Sequence, residues 1–233
     1  MCLGLGSVCA PAAITFYSPY YGQNPGSIGD QDGVIGMNGQ FDIQSVAFTD
    51  ISAANITVQI DYNYDYGDAT LSPFTADGIY LQAADFLLTT GTQDWGVALA
   101  AHPGFTPGDL YSVDSFLTAK QVLNNPNANY NPNDNVWLND DGAQQLVEAG
   151  TVSTVNIGGD EVQTTLSFTP TSGLYSQFAL GNVSFEFGAA TCANDYISGT
   201  IGALTAVPEP DSMVLVGCGL VGLSFFSRRR RKK

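Results

Sequence analysis

The sequence predicts an all-β domain, an antiparallel β-sandwich of jelly-roll-like form, followed by one transmembrane helix in a C-terminal tail. Apolar and polar side chains alternate throughout Ile56–Tyr66, which is the pattern of a strand with one buried face. Further short runs rich in β-branched and aromatic residues follow at close spacing with turn residues between them, a pattern typical of sandwiches. The apolar run Met213–Phe226 predicts the transmembrane helix.

The first segment, residues 1–12, has the features of the end of a secretory signal peptide. Its apolar stretch ends in Ala10-Pro11-Ala12, the small-residue pattern of a cleavage site. No positively charged region precedes this stretch, so we expect a signal-peptide remnant whose true start lies upstream. A frayed first strand is the alternative.

Residues 13–206 form the predicted β-domain. Its further predicted strands lie in FDIQSVAFT from Phe41, GIYLQAADFLLTT from Gly78, DWGVALAA from Asp94, DLYSVDSFL from Asp109, TVSTVNI from Thr151, EVQTTLSF from Glu161, LYSQFAL from Leu174 and VSFEF from Val183. Thr118–Leu123 and Ala143–Ala149 are predicted as short connecting helices. Between them, Asn124–Gly142 is rich in Asn, Asp and Pro and is expected to be a surface loop.

The charge of the β-domain is strongly negative. Of the 22 acidic and seven basic residues, 20 acids and the single base Lys120 precede Val207, which gives a formal charge of −19. Nucleic acid is therefore excluded as a partner, because phosphate binding needs clustered Lys and Arg. Such a surface stays soluble and attracts cations.

Groups suited to nucleophilic or metal catalysis are sparse. His102 is the single histidine, which excludes a multi-histidine zinc site and leaves one base for a Ser-His-Asp arrangement. Because Pro103 and Gly104 follow it, we expect His102 in a turn at the surface. Cys192 is the single cysteine of residues 13–206 and is expected to be a small buried apolar residue.

One enzyme class fits the composition, a glycoside hydrolase with Glu161 and Glu186 as its carboxylate pair. Both glutamates are more simply solvent-facing strand residues, since Glu186 alternates with phenylalanines. Trp95 and Trp137 lie near polar loops and offer flat surfaces for sugar rings, although such residues also anchor cores and loops. We therefore expect binding rather than catalysis.

A calcium site is a further hypothesis. Asp61, Asn63 and Asp65 project from one face of a predicted strand and offer the hard oxygen ligands that calcium takes. The match to a calcium loop is partial, because Tyr66 stands where an EF-hand has glycine. The alternatives are solvated strand and turn residues, or a second cluster that comprises Asn133, Asp134, Asn135, Asp140 and Asp141.

The tail, residues 207–233, has three parts with separate physical roles. The prolines of Val207-Pro208-Glu209-Pro210 enforce an extended spacer that is open to a processing enzyme. The glycine-rich run Met213–Phe226 follows as the membrane helix. Arg228, Arg229, Arg230 and Arg231, with two lysines after them, hold the C-terminus in the cytoplasm by the positive-inside rule.

This order of parts resembles the sorting signal of the PEP-CTERM proteins. The resemblance implies that a Gram-negative bacterium exports the chain and that exosortase recognises Val207–Pro210 and removes the anchor. It also implies an inner-membrane intermediate that ends at the cell surface or outside the cell, often near extracellular polysaccharide. We expect a non-catalytic structural, adhesive or glycan-binding protein; a secreted glycan-acting hydrolase is the alternative.

Overall fold

Strands make up most of the part of the chain that the computed structural model describes. That part comprises residues 13–17, 43–63, 75–76, 79–80, 83–123, 133–142, 144–158, 161–189, 193 and 195–204. In chain order the elements are β1 (Ile14–Tyr17), β2 (Ile43–Ile51), β3 (Ile56–Tyr62), β4 (Thr75–Ala76), β5 (Ile79–Tyr80), β6 (Phe86–Thr89), β7 (Asp94–Val97), β8 (Leu110–Val113), β9 (Phe116–Thr118), α1 (Ala119–Leu123), β10 (Asn135–Leu138), β11 (Gln145–Glu148), β12 (Thr151–Gly158), β13 (Glu161–Phe168), α2 (Ser172–Leu180), β14 (Val183–Gly188) and β15 (Tyr196–Ile201).

The first sheet has five strands in the order β1-β2-β3-β13-β12, and every neighbouring pair is antiparallel. In β3 and β13 the buried residues alternate strictly with partly exposed ones. The inward set includes Ile60 and Leu166, whereas polar residues such as Gln59 and Thr165 face outward. This sheet therefore buries one face and presents a polar one.

The second sheet has six strands in the order β11-β8-β7-β6-β14-β15, again antiparallel throughout. Its inner face packs on the first sheet, and part of its outer face is covered as well. Leu87, Tyr111 and Leu138 belong to a second, smaller apolar cluster there. Leu138 approaches so closely that a Cβ at Gly96 would lie 2.5 Å from its Cδ2. The β9–β10 ribbon that carries Leu138 thus forms an outer layer.

Aromatic rings fill the space between the two sheets. The ring of Phe48 in the first sheet lies 5.6 Å from that of Phe185 and 5.9 Å from that of Phe86, both in the second sheet. It also lies 6.1 Å from Phe178 of α2. Phe48 therefore contacts both sheets and α2 at once. Aromatic pairs of this kind stabilise a core beyond the contribution of the area that they bury.

The predicted sandwich is confirmed in its main feature, two antiparallel sheets packed face to face. The strand order refines it. In the second sheet, β14 returns over a long connection to lie beside β6, which gives the four strands β14-β6-β7-β8 a Greek-key order. The first sheet instead joins the meander β1-β2-β3 to the β12–β13 hairpin. The described strands thus show one Greek key, whereas a jelly roll has two.

The strand predicted from Leu174 is wrong, because the segment forms helix α2. The side chain of Thr171 caps this helix by accepting a hydrogen bond from Leu174 N at 3.1 Å, and Gly181 ends it in the left-handed conformation. Leu174 and Phe178 are its buried residues, four positions apart on one helical face. Capping and helical spacing together outweigh the β propensity of the segment.

Two other predictions of local structure are also corrected. Residues 145–148, within the helix expected at Ala143–Ala149, form strand β11 on the edge of the second sheet, while the helix expected at Thr118–Leu123 is confirmed as α1. The expected loop contains strand β10, because burial of Val136 and Leu138 draws it onto the sheet.

The segments 1–12 and 205–233 lie outside the described residues, as does the predicted membrane helix. Among the residues that the structure does describe, none belongs to a helix long and apolar enough to cross a bilayer.

Replacing Phe48 by alanine should lower the free energy of unfolding by about 3–5 kcal/mol, the usual cost of emptying a phenylalanine site in a core. The reason is that Phe48 joins both sheets and α2. Urea unfolding measures this change. Tyr17→Ala is the matched control, because Tyr17 is 74% exposed and should change stability by no more than about 0.5 kcal/mol. Equal losses for the two variants would contradict the packing described.

Candidate functional site

A buried carboxylate, Asp85, lies just before β6 and joins three segments of the second sheet and its outer layer. Its Oδ2 accepts hydrogen bonds from His102 Nε2 at 2.8 Å and from Leu138 N at 2.9 Å, and its Oδ1 accepts one from Leu99 N at 3.2 Å. Asp85 N in turn donates to Val136 O at 2.8 Å. The carboxylate thus joins the start of β6 to the segment after β7 and to β10.

Burial raises the pKa of Asp85 above its ordinary value of 3.8. The hydrogen bond and charge of His102 act in the opposite direction, as do the backbone N–H groups of Leu138 and Leu99. The environment of Asp85 is therefore a balance in which desolvation outweighs hydrogen bonding, and His102 is the side chain that opposes desolvation.

The prediction of a surface histidine is wrong. The side chain of His102 is 3% exposed, and its ring stacks on that of Trp137 with centroids 4.4 Å apart and planes 5° from parallel. Phe105 closes the turn around it through a hydrogen bond from Phe105 N to His102 O at 3.0 Å. The turn expected from Pro103 and Gly104 is present, but it folds inward because Asp85 supplies a buried acceptor. With this exposure, His102 is placed to support the fold rather than to meet a substrate.

Both tryptophans are partly buried and contact other residues of the fold. Trp137 stacks on His102, and its Nε1 donates to Ala83 O at 3.2 Å. Trp95 pairs with Leu88, whose side chain lies in the core, and packs against that core from a partly buried position. Its Nε1 is buried without a hydrogen-bond partner. Both therefore act as anchors for the fold, the alternative to sugar platforms that the sequence left open.

Glu161 and Glu186 lie on the outer faces of different sheets. Glu161 alternates with the inward residue Val162 of β13, and Glu186 lies between the buried residues Phe185 and Phe187 of β14. Since the two sheets pack through their inner faces, their outer faces point in opposite directions. These carboxyl groups cannot flank one glycosidic bond, which the two carboxylates of a glycoside hydrolase must do.

A row of acidic residues gathers around Glu186 on the outer face of the second sheet. Partial burial, with the negative charge of Glu186, raises the pKa of Asp134. Partial burial also raises the pKa of Asp94, and Glu186 adds to this while a hydrogen bond from Thr89 opposes it. The three carboxylates therefore repel one another in this part of the molecule.

Neutral groups surround these acids. Asn135 Nδ2 donates to Glu186 Oε2 at 3.0 Å. Burial and the neighbouring charge of Glu186 raise the pKa of the Tyr196 phenol, which is also hydrogen-bonded to Glu186. An open cavity of about 300 Å³ lies alongside and is lined by Thr89, Gly91, Thr92, Gln93, Asp94, Val113 and Asp114. We name the outer-face acids Asp94, Asp134 and Glu186, with this cavity, the acidic face.

The first proposed calcium ligands lie on the opposite side of the sandwich, at the outer face of the first sheet. Asp61 accepts hydrogen bonds from Gln163 Nε2 at 2.9 Å and from Ser45 Oγ at 3.0 Å. Asn63 Oδ1 accepts one from Gln44 Nε2 at 2.9 Å. These oxygens already accept hydrogen bonds within the sheet. Asp65 lies outside the described residues, so this site stays a prediction.

The second proposed cluster is divided by β10. Asp134 precedes that strand and Asp140 and Asp141 follow it, so the four residues Asn135–Leu138, about 13 Å of extended chain, lie between them together with Asn139. Within the described residues, no three His, Cys, Asp or Glu side chains are arranged to hold a metal ion. Cys192, the sorting residues Val207–Pro210 and the arginines 228–231 lie outside that part of the chain.

Sequence reasoning missed the two buried carboxylates. Asp195 is 4% exposed and lies directly before β15. It accepts a hydrogen bond from Ile43 N and so connects the start of β15 to β2 of the first sheet. Asp85 has the role described above. A weak signal was available in Ala83-Ala84-Asp85-Phe86, where one acid interrupts an apolar run. Its partner His102 lies 17 positions away, which no local pattern reveals.

Replacing His102 by leucine should cost about 3–5 kcal/mol of stability near neutral pH, because it leaves the Asp85 charge buried without its side-chain partner. The pKa of Asp85 should rise further, so the folded state should bind a proton there more tightly than the unfolded state does. The loss should therefore shrink as pH falls toward about 4.5. Urea unfolding at both pH values measures this, and a loss independent of pH would contradict the role given to Asp85.

Replacing Glu186 by glutamine should raise the free energy of unfolding at neutral pH by about 0.2–1 kcal/mol, the range for relieving like charges across strands. Because Asp94 and Asp134 have raised pKa values, stability falls as pH rises from 3.8 through those values. The variant should weaken this fall, and its gain should vanish below pH 3.8. Glu148→Gln on exposed β11 is the charge-matched control and should show neither effect.

Comparison with known proteins identifies one part of the chain. Residues 206–231 match the PEP-CTERM protein-sorting motif. No curated protein and no solved structure was found to match the chain. The match covers the three-part tail on which the sequence-based resemblance was based, and it implies export, processing by exosortase and sorting to the cell surface. The protein therefore carries a PEP-CTERM protein-sorting motif at its C-terminus, directly after the β-sandwich.

Proposed function

We propose that residues 13–206 form a non-catalytic structural or adhesive domain that acts at the surface of a Gram-negative bacterium or in its extracellular matrix. The sorting motif at residues 206–231 carries this proposal, since it places the domain outside the cytoplasm. In this account Met213–Phe226 is a transient inner-membrane helix and Arg228–Arg231 hold its cytoplasmic end.

The polar groups of the domain support a structural role. His102 is hydrogen-bonded to Asp85 and stacks on Trp137, and Trp95 packs against the core. The hydrolase alternative would need Glu161 and Glu186 in one cleft, and their positions on opposite outer faces disfavour that pair. Extracellular polysaccharide remains the proposed environment, with the acidic face as the surface richest in hydrogen-bond acceptors for hydroxyl groups.

Changing Pro208 and Glu209 to alanine should leave the chain uncut and bound to the membrane. The substitutions remove the extended spacer that a processing enzyme needs. Cell fractionation followed by immunoblotting with an antibody against the β-domain measures the size and location of the chain. Thr205→Ala, one residue before the motif, is the matched control and should be processed like the parent.

Three outcomes, one of them from a separate assay for sugar ends, bear on the proposal. Release and shortening of the double variant at the parental rate would contradict the sorting role. In the same cells, an adhesive domain predicts that the uncut form reduces cell–cell aggregation and matrix retention. Release of new reducing sugar ends from the polysaccharide by the parent, lost when Glu161 and Glu186 are changed to glutamine, would instead support the hydrolase.

A further inference from the structure

Within the described part of the chain, strand β12 has one unpaired edge and little cover on either face. Among the described strands it is the last of the first sheet and pairs with β13 alone. Seven of its eight residues are exposed, including those on the side that faces the core elsewhere in the sheet. An antiparallel strand paired on one side leaves alternate N–H and C=O groups pointing outward, so β12 can accept another strand.

Two apolar residues of β12 lie on the outer face without a partner in the core. Val155 is 52% exposed and Ile157 is 48% exposed. The neighbouring outer-face residues are polar, with Gln163 opposite Val155 and Thr165 opposite Ser153. Because about half of each side chain is exposed, this apolar pair would lose further water-accessible surface if another strand covered it.

The β12 edge fits a second copy as its occupant because this edge is uncharged and complementary to itself. Residues 13–206 carry nearly all of the acids and one base, so two copies repel each other over most of their surfaces. Thr151–Gly158 contains no charged residue and none of the lysine or proline that usually protect an edge. A second copy can therefore approach at this strand, and it brings an unpaired edge of the same length and chemistry.

We propose that two copies of the protein pair through their β12 strands, antiparallel, about a two-fold axis at Val155. This places Val155 opposite the second copy's Val155 and Ser153 opposite the second copy's Ile157. The two first sheets then form one continuous ten-stranded sheet. The pairing is isologous, so it closes as a dimer. The outward N–H and C=O groups of both β12 strands are then hydrogen-bonded. The inference does not rest on the proposed adhesive role.

Cysteine cross-linking of the full-length chain, purified in detergent and treated with an oxidant, tests this pairing. Val155→Cys should give a reducible homodimer, because directly opposed residues have Cβ atoms about 4.5–5.5 Å apart. Thr165→Cys is the matched control on the same face of β13. Three strand spacings alone separate its two copies by at least about 14 Å, and the offset of Thr165 along the strand adds to this, which is beyond the reach of a disulfide. The four native cysteines are common to all forms, and the parent sets their background.

A second measurement tests the register. A tagged Ser153→Cys chain mixed with an untagged Ile157→Cys chain should give more mixed dimer than either chain gives alone. Homodimer from Val155→Cys no more abundant than from Thr165→Cys and the parent would overturn the proposal. Cross-linking of Val155→Cys only to a species of another mass would overturn the choice of a second copy, and equal yields from mixed and single chains would overturn the register.

Discussion

Lys120 is the only basic residue available to residues 13–206, and this scarcity governs how the domain holds together. Carboxylates cannot be paired with Lys or Arg, so those that are buried need other donors. Asp85 uses two backbone N–H groups and the single histidine, and Asp195 uses the N–H groups of Ile43 and Tyr196. His102 Nε2 lies 2.8 Å from Asp85 Oδ2. The buried carboxylates of Asp85 and Asp195 therefore depend on hydrogen bonds from His102 and from backbone N–H groups. The stability of the domain depends on apolar contact between the two sheets.

The same constraint shapes the surface. Acids collect on the outer faces, where partial burial and mutual repulsion raise the pKa values of Asp94 and Asp134. The uncharged strand β12 interrupts this pattern at one edge of the first sheet. A domain that repels its copies over most of its surface but exposes one neutral edge has a directional means of association.

Sequence patterns predict the parts of this fold that depend on local periodicity. The alternation in β3 and β13 identifies strands because one face of each packs on a single core. The sequence pattern does not predict helix α2, because capping by Thr171 and Gly181 outweighs a strand-like composition. The pattern does not predict strand β10 either, because the burial of Val136 and Leu138 depends on a sheet whose other strands are distant in the chain. The sorting tail needs no tertiary structure, and it is the functional feature that the sequence predicts most completely.

His102 shows why the internal site could not be predicted. Its neighbours Pro103 and Gly104 indicate a turn, and only the distant Asp85 turns the ring inward. Because His102 is the single histidine, its chemical reactivity reports directly on whether this arrangement holds. Modification of the native chain by diethylpyrocarbonate is the most direct measurement. The account predicts that the native imidazole resists the reagent and reacts after unfolding in urea, whereas reaction of the native chain as fast as an exposed imidazole would contradict it.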